Sequence, residues 1–499
     1  MGQMRFVVPC KERIPNGAVE CGYLSGIEGI PWRGRCHLRT DASESTELVI
    51  ERSVSESGNF CIPWHVAGHG ELALATASLM ERAIPYNLPV ELARGALNRW
   101  RNQAADWKMS GLVVPEALGE AIATASETFG QAVSADSEVQ AAELAESVLK
   151  AVLDASEALA DEYSRQTLAT HRQQSGPLSA LLGGTLSSQP LTEAETRLLP
   201  RAWNSAVVPF SWRDIEHSTG KHRWAQCDRH IQWCHSQSWR IVGGPLLQLD
   251  KRHLPDWIYL WEEDFEHLQT YFLQFIRAAV GRYQGKVHIW HCAARMNVEG
   301  ALSLSEEQRI RLVVAAIDEI RRVDPQTPML VSFDQPWAEY LASRAFDLSP
   351  LHFADSLIRA DLGVAGVGLE LNMGYWPGGT LMRDRIEISR QLDRWSLLGL
   401  PLVVFLSIPS SGEPAPDGQR KTRASATDTT TNLSPEHQQA AIQKLMPLLL
   451  AKSCVQGLFW NQLSDADPCE FAHGGLFDAE SRPKPLLDTL ISLRQQYLT

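Results

Sequence analysis

KVHIWHCAARMNVEGALSLSEEQRIRLVVAAIDEIRRVDPQTPMLVSF, residues 286–333, holds two apolar runs separated by one amphipathic stretch. The runs VHIWHCAA and PMLVSF are short, rich in β-branched and aromatic residues, and bounded by Gly or Pro. Between them, EEQRIRLVVAAIDEIRRV repeats apolar residues at helical spacing, with acids first and arginines last, matching the helix dipole. This is a strand–helix–strand unit, and the same alternation continues on both sides of it. Apolar strands are expected at 179–185, 205–210, 240–246, 286–294, 328–333, 365–371, 401–407 and 455–461. Eight buried strands alternating with helices over about 320 residues indicate a (β/α)8 barrel at 178–499. An open doubly wound sheet is the alternative, but no GxGxxG or Walker-type turn follows the first strand.

Upstream, the pattern changes twice. Residues 1–87 alternate in short runs such as RFVVP, TELVIERSV and ELALATASL, punctuated by Gly, Pro and Ser, as in a small β-sandwich module. Residues 88–177 are helical in periodicity and rich in Ala and Glu, two strong helix formers. This arm is expected to pack on the next domain as a spacer, or to carry a homo-oligomer contact. The overall class is α/β, a (β/α)8 TIM barrel preceded by a small β-sandwich and a helical segment. The stretch 410–432, SSGEPAPDGQRKTRASATDTTTN, cannot bury a core and is expected to be a mobile loop after the seventh strand.

Composition bounds the function. The 499 residues carry a formal charge of −13, which disfavours a general nucleic-acid binder. No apolar run approaches the ~18 residues of a membrane span, and the first residues lack a secretory signal pattern, so a cytoplasmic protein is expected. Nine scattered cysteines, with no CxxC pair, suit reduced thiols. His65 and His69 in WHVAGHGE have a zinc-like spacing, but Gly68 and Gly70 place them in a turn. No GxSxG motif is present.

Particular residues then suggest a family. WNSAVVPFSWRDIEHSTGKHRWAQCDRHIQWC, with Trp212, Ile215, Glu216, Gly220, Trp224 and Asp228, resembles the second-strand region of glycoside hydrolase family 10, the endo-β-1,4-xylanases. Leu254-Pro255-Asp256-Trp257 resembles the end of that family's third-strand region, LLGGTLSSQPL its first, and Trp460 with Gly475-Leu476-Phe477-Asp478 and Lys484-Pro485 its eighth. The resemblance runs in order from about 178 to 499 and implies the family's barrel. The start PYNLPVELARG (85–95), with the β-module and arm, is similar to a divergent long form in planctomycete-type bacteria.

The resemblance does not extend to the mechanism. Retaining glycosidases use two carboxyl groups about 5–5.5 Å apart; in this family they are glutamates ending strands four and seven. Here the fourth strand reads Trp290-His291-Cys292-Ala293-Ala294-Arg295, so the acid/base position falls on Arg295. The seventh, LPLVVFLSIPSS, puts Phe405 and Leu406 at the nucleophile position. The sugar-gripping Trp-His pair of strand three becomes Gln248 and Leu249, and the strand-two Glu-Asn is absent beside Pro209 and Phe210.

The strand ends remain polar, which points to a carbohydrate ligand: rings stack on sugar faces while carboxylates and amides hold hydroxyls. Candidate ligand contacts are Gln248, Arg295, Asn297, Trp337, Asn372, Tyr375, Trp376, Trp460, Gln462 and Asp467. Candidate acids or bases are Glu370 with Asp334, Asp465 or Asp467. Alternation from Val367 turns Glu370 toward the lumen, where Arg295 is its natural partner, either as a structural pair or as a ligand-contacting one. Oxygen ligands here suit calcium or magnesium, but no dense ligand motif exists, so neither metal nor cofactor is expected. Three readings stay open: a carbohydrate-binding barrel without xylanase chemistry, a hydrolase with relocated carboxylates, and an assembly protein using its helical arm.

Overall fold

The computed structural model describes residues 2–9, 11–15, 17–40, 46–53, 55–344, 348–375, 378–413, 433–467 and 471–499. Strands β1 (Gly2–Val7), β2 (Tyr23–Ser25), β3 (Pro31–Trp32), β4 (Gly34–Thr40), β5 (Thr46–Arg52), β6 (Gly58–Val66), β7 (Gly70–Leu79) and β8 (Tyr86–Asn87) form two sheets. Their orders are β4-β5-β1-β8 and β3-β2-β6-β7. Alternation does the folding work: Leu48 and Ile50 of β5 enter the core, while Glu51 beside Ile50 is exposed. Phe6 of one sheet stacks on Phe60 of the other at 4.8 Å, so the two sheets make the expected sandwich.

Three helices follow: α1 (Leu88–Met109), α2 (Glu116–Val133) and α3 (Glu138–Ser175). Asn87 caps α1 by accepting from the Val90 N–H, and Pro89 sits in its first turn, where no amide donor is needed. α3, at 38 residues, is long enough to reach from the sandwich to the barrel. Its small-residue face, including Ala142, Ala145 and Ala160, is buried within this chain. Arg385 of the barrel binds Glu157 and Asp161 of α3 at 3.0 and 2.6 Å. The arm thus packs against both the sandwich and the barrel.

Gly95 shows how tightly α1 lies on the sandwich. A Cβ there would stand 2.1 Å from the Ala75 carbonyl oxygen of β7. Propensity alone would reward Gly95→Ala by about 1 kcal/mol, yet overpacking costs about 1–3 kcal/mol and here meets rigid backbone. Gly95→Ala is expected to lower the denaturation midpoint; an increase would contradict this packing.

The barrel closes in the order β10-β11-β12-β13-β14-β15-β16-β9. Its strands are β9 (Leu181–Thr185), β10 (Ser205–Val208), β11 (Arg240–Gly243), β12 (Ile289–Ala294), β13 (Met329–Asp334), β14 (Gly366–Asn372), β15 (Leu402–Ser407) and β16 (Val455–Trp460). All pairings around it are parallel. Around them lie α4 (Glu193–Ala202), α5 (Trp212–Ile215), α6 (Ala225–Ser236), α7 (Phe265–Tyr283), α8 (Glu306–Val323), α9 (Pro350–Arg359), α10 (Arg385–Ser396), α11 (Pro435–Ala451) and α12 (Leu486–Tyr497). Val207, Val242, Leu330, Val403, Phe405 and Phe459 plug the lumen, so the barrel is a packed core and not a pore.

Two strands set the site. In β14, Val367, Leu369 and Leu371 join the outer core, which turns Glu370 and Asn372 inward. In β15, Val404 and Leu406 join the outer core while Val403 and Phe405 face the lumen. Leu406, one of the two residues expected at the nucleophile position, is therefore not an inward residue. Phe405 is, because strand side chains alternate. In β12 the register shifts between His291 and Ala293. That irregularity lets Ala294 and Arg295 both line the mouth.

Candidate functional site

At the C-terminal strand ends, polar side chains converge on Glu370, whose side chain is only 3% exposed. Arg295, on the residue after β12 and with a left-handed backbone (φ 59°), directs its Nε–H to Glu370 Oε2. Asn372 Nδ2 donates to the same oxygen at 3.2 Å, and Ser332 Oγ donates to Oε1 at 3.0 Å. His291 Nε2 lies 2.9 Å from the Ser332 hydroxyl oxygen. Because Ser332 gives its proton to Glu370, His291 must be the donor to Ser332, with its proton on Nε2. Burial, aided by the charge of Arg295, lowers the His291 pKa to about 3, so the ring stays neutral. Each of these bonds uses Glu370 as an acceptor, the role of an ionised carboxylate. Asn461 Nδ2 donates to Asn372 Oδ1 at 2.6 Å, extending the network to β16.

Above this network opens a cleft of about 450 Å³. Ser187, Gln248, His253, Arg295, Glu370, Gln462, Asp467 and Phe471 are among its walls. Phe471 lies with its ring centroid 5.0 Å from the Arg295 guanidinium carbon, within cation–π range. Gln248 donates through Nε2 to Asp250. Burial pushes the Asp250 pKa upward, but His253 at 2.9 Å, Arg295 and the Arg252 N–H outweigh it and hold the carboxyl ionised, well below its usual range. Asp467 behaves oppositely. Burial raises its pKa, more than the hydrogen bond from Ser187 Oγ lowers it.

That shift carries a sign. A carboxyl whose folded pKa is raised favours folding while both states are protonated, and this advantage is lost as pH rises from the unfolded to the folded pKa. Asp467→Asn should therefore be more stable than the parent at pH 7, with the difference vanishing below about pH 4. Thermal melts at both pH values check this; an equal or lower midpoint at pH 7 would contradict it.

The remaining candidates divide clearly. Glu370, Arg295, Gln248, Gln462 and Asp467 come together at the cleft. Asp334 is fully buried below it, its backbone held by Asn297 and its Oδ1 accepting from the Gln335 N–H. Asn297 and Asn372 are buried members of the same support. Asp465 is an ion-pair partner of Lys484 at 2.5 Å and accepts from the Gly475 N–H, so it braces the last loop away from the cleft walls. Trp460 donates to the Gly474 carbonyl from within the outer core, and Tyr375 donates to the Ala472 carbonyl. Both are packing residues of that loop. Trp337 faces a different cavity, under Arg383. Trp376 and residues 414–432 of the seventh loop lie outside the described residues.

Sequence reasoning missed Ser187, His253, Asp214 and Phe471 at the cleft. Ser187 and His253 stand beside the motifs already quoted and were findable by continuing past the strand ends; Phe471 had no local signal. Among the described residues no group of three or more His, Cys, Asp or Glu is placed to hold a metal ion. His69 instead contacts Asp154 at 2.9 Å. No helix among the described residues is long and apolar enough to cross a membrane.

Residues 173–297, which span the first four barrel strands, match the model of Glycosyl hydrolase family 10. No curated protein matches the chain. The crystal structure of native xylanase 10B from Thermotoga maritima is similar with a TM-score of 0.50 at 17% identity, over 66% of this chain and 98% of that one. Xylanase 10B from Thermotoga petrophila RKU-1, in complex with xylobiose, gives 0.49 at 15%, over 68% and 97%. At such identities the structural likeness concerns the fold alone, and the resemblance to the family rests on the matched segment. The chain is built around a closed (β/α)8 barrel whose first four strands match the glycosyl hydrolase family 10 model.

Proposed function

We propose that the mouth of this barrel binds a carbohydrate without the two-glutamate retaining chemistry of xylanases. The observation that carries the reading is the Arg295–Glu370 ion pair, which occupies the mouth where β12 ends. By the family resemblance, Arg295 stands at the acid/base position, and a guanidinium does not surrender a proton at useful pH. The inward residues of β15 are Phe405, stacked on His291 at 5.3 Å, and Ser407, whose hydroxyl is turned to the buried Tyr375 hydroxyl at 3.4 Å, and neither supplies a carboxylate. What remains suits recognition: Gln248, Gln462 and Asn461 present amides, and Phe471 an aromatic ring, around the cleft. The thiols described, seven without a disulfide, favour placement in the reducing cytoplasm.

A second reading rests on one observation, two unequal carboxyl groups in the same cleft: Asp467, whose pKa burial raises, and Glu370, which is ion-paired with Arg295. Glycoside hydrolysis uses two carboxyl groups whose environments push their pKa values apart. Asp334 and Asp465 drop out of that pair, being buried or committed to Lys484. Calorimetry against a panel of xylo-, cello- and manno-oligosaccharides, with reducing-end release measured in parallel, separates the readings. Saturable binding without release supports the first. Release abolished by both Glu370→Gln and Asp467→Asn, in folded protein, supports the second.

A further inference from the structure

A larger cavity, about 710 Å³, lies where the β-sandwich, α1 and α10 meet the loop after β13. Its inner wall is built from charge. Arg383, 5% exposed, crosses from the barrel to the sandwich, donating to Glu339 Oε1 at 2.8 Å and to the Tyr23 hydroxyl at 3.1 Å. Its guanidinium carbon sits 4.4 Å from the Trp337 ring centroid, and its buried Nε has no hydrogen-bond partner. Trp337 in turn donates to Glu387 at 3.1 Å, and Arg390 pairs with Glu387 at 3.4 Å. Asp384 caps α10 through the Glu387 N–H at 3.0 Å.

Two guanidinium groups of the wall, Arg99 and Arg394, form no direct ion pair among the described residues, although Asp384 and Glu387 lie close enough to Arg99 for its charge to lower their pKa values. Arg99 donates to the Ala75 carbonyl at 2.6 Å and Arg394 to the Gln391 amide oxygen at 3.1 Å, and neither has a carboxylate within 4.0 Å among the described residues. The rim acids do not supply one: Glu28 and Glu56 are exposed, and Glu28 is turned to His352 at 3.8 Å. Burial lowers the Arg394 pKa, a fall that Glu387 and Glu28 oppose and Arg390 reinforces. The loop at Gly29 runs close against Arg394. Gly29 has a left-handed backbone (φ 69°) that favours glycine, and a Cβ there would stand 2.5 Å from the Arg394 Nη1. Across the cavity, Trp32 is seated between Gly26 and Gly58, where a Cβ would lie 2.9 and 2.8 Å from the ring.

We propose that this cavity is a second binding site, separate from the barrel mouth, for a carboxylated sugar held by Arg99 and Arg394. A planar carboxylate matches the fork of a guanidinium. Hydroxyl groups find Asn98, Asn102 and Asn59 on the walls, and Trp32 offers an aromatic surface. The volume accommodates a mono- or disaccharide. A bare inorganic anion would satisfy the arginines but leave the amide-lined remainder unused.

The test is calorimetry on the full chain with glucuronate, glucose, acetate and sulfate. Glucuronate is expected to bind at least ten-fold more tightly than each of the other three. Arg394→Gln should weaken it at least ten-fold, whereas Glu370→Gln at the barrel mouth should leave it unchanged. Asn98→Trp, an exposed helical position on the rim, should also block it and keeps the test readable if Arg394→Gln fails to fold. Equal binding of glucose, equal binding of sulfate, no binding of glucuronate, or insensitivity to Asn98→Trp would each overturn the proposal.

Discussion

Arg295→Met should destabilise the protein by about 3–5 kcal/mol, the usual cost of stranding one member of a buried ion pair. Arg295 and Glu370 have side chains only 11% and 3% exposed, so water cannot rescue the carboxylate left behind. Ser332 and Asn372 would still donate to it, but hydrogen bonds from neutral groups do not replace a charge. Adding Glu370→Gln removes the stranded charge, and the double variant should recover most of the loss. Denaturant midpoints of the four proteins give the coupling energy directly. Additive effects would mean that the pair does not act as a unit, and the mouth would then be built differently from the network described.

Arg383→Met should have an effect of similar size, about 3–5 kcal/mol by the same argument, but it should be felt at the junction of sandwich and barrel. Arg383 and Glu339 have side chains 2% and 1% exposed, and Arg383 also holds Tyr23 of β2. Burial raises the Glu339 pKa, while Arg383 opposes that rise. A raised carboxylate pKa means stability that is present at low pH and lost as pH rises through the folded value. Without Arg383 the penalty for ionised Glu339 grows, so the variant's loss should be larger at pH 8 than at pH 5. Hydrogen exchange across residues 23–32 and 378–387 should rise together. A loss independent of pH, or confined to the barrel, would contradict this account.

Most of the fold was legible because strands and helices differ in period. The unit around 286–333 gave two strands and a helix, and the eight strands fall within a few residues of the expected positions. The overruns have local causes: β10 stops before Pro209, and β11 before Gly244–Pro245, since proline has no ladder donor. The inward turn of Glu370 followed from alternation, and so did its pairing with Arg295. The same alternation applied to β15 would have turned Phe405, not Leu406, to the lumen. Asp465 and Trp460 were misplaced for a different reason: their partners, Lys484 and Gly474, lie in a loop whose folding back over β16 has no periodic signal. Trp337 was read as a mouth residue, yet the N-terminal module reaches over and encloses it. Contacts so distant along the chain, such as Arg383 with Tyr23, leave no trace in local pattern.

Reducing-end release from xylan and xylo-oligosaccharides, followed to high enzyme concentration across pH 4–8, bears most directly on the proposal that this mouth holds sugar but does not cut it. The expected result is binding detectable by calorimetry with no release above that of the Glu370→Gln, Asp467→Asn double variant. Sustained release by the parent chain that disappears in the double variant would show a working pair of carboxyl groups and overturn the account.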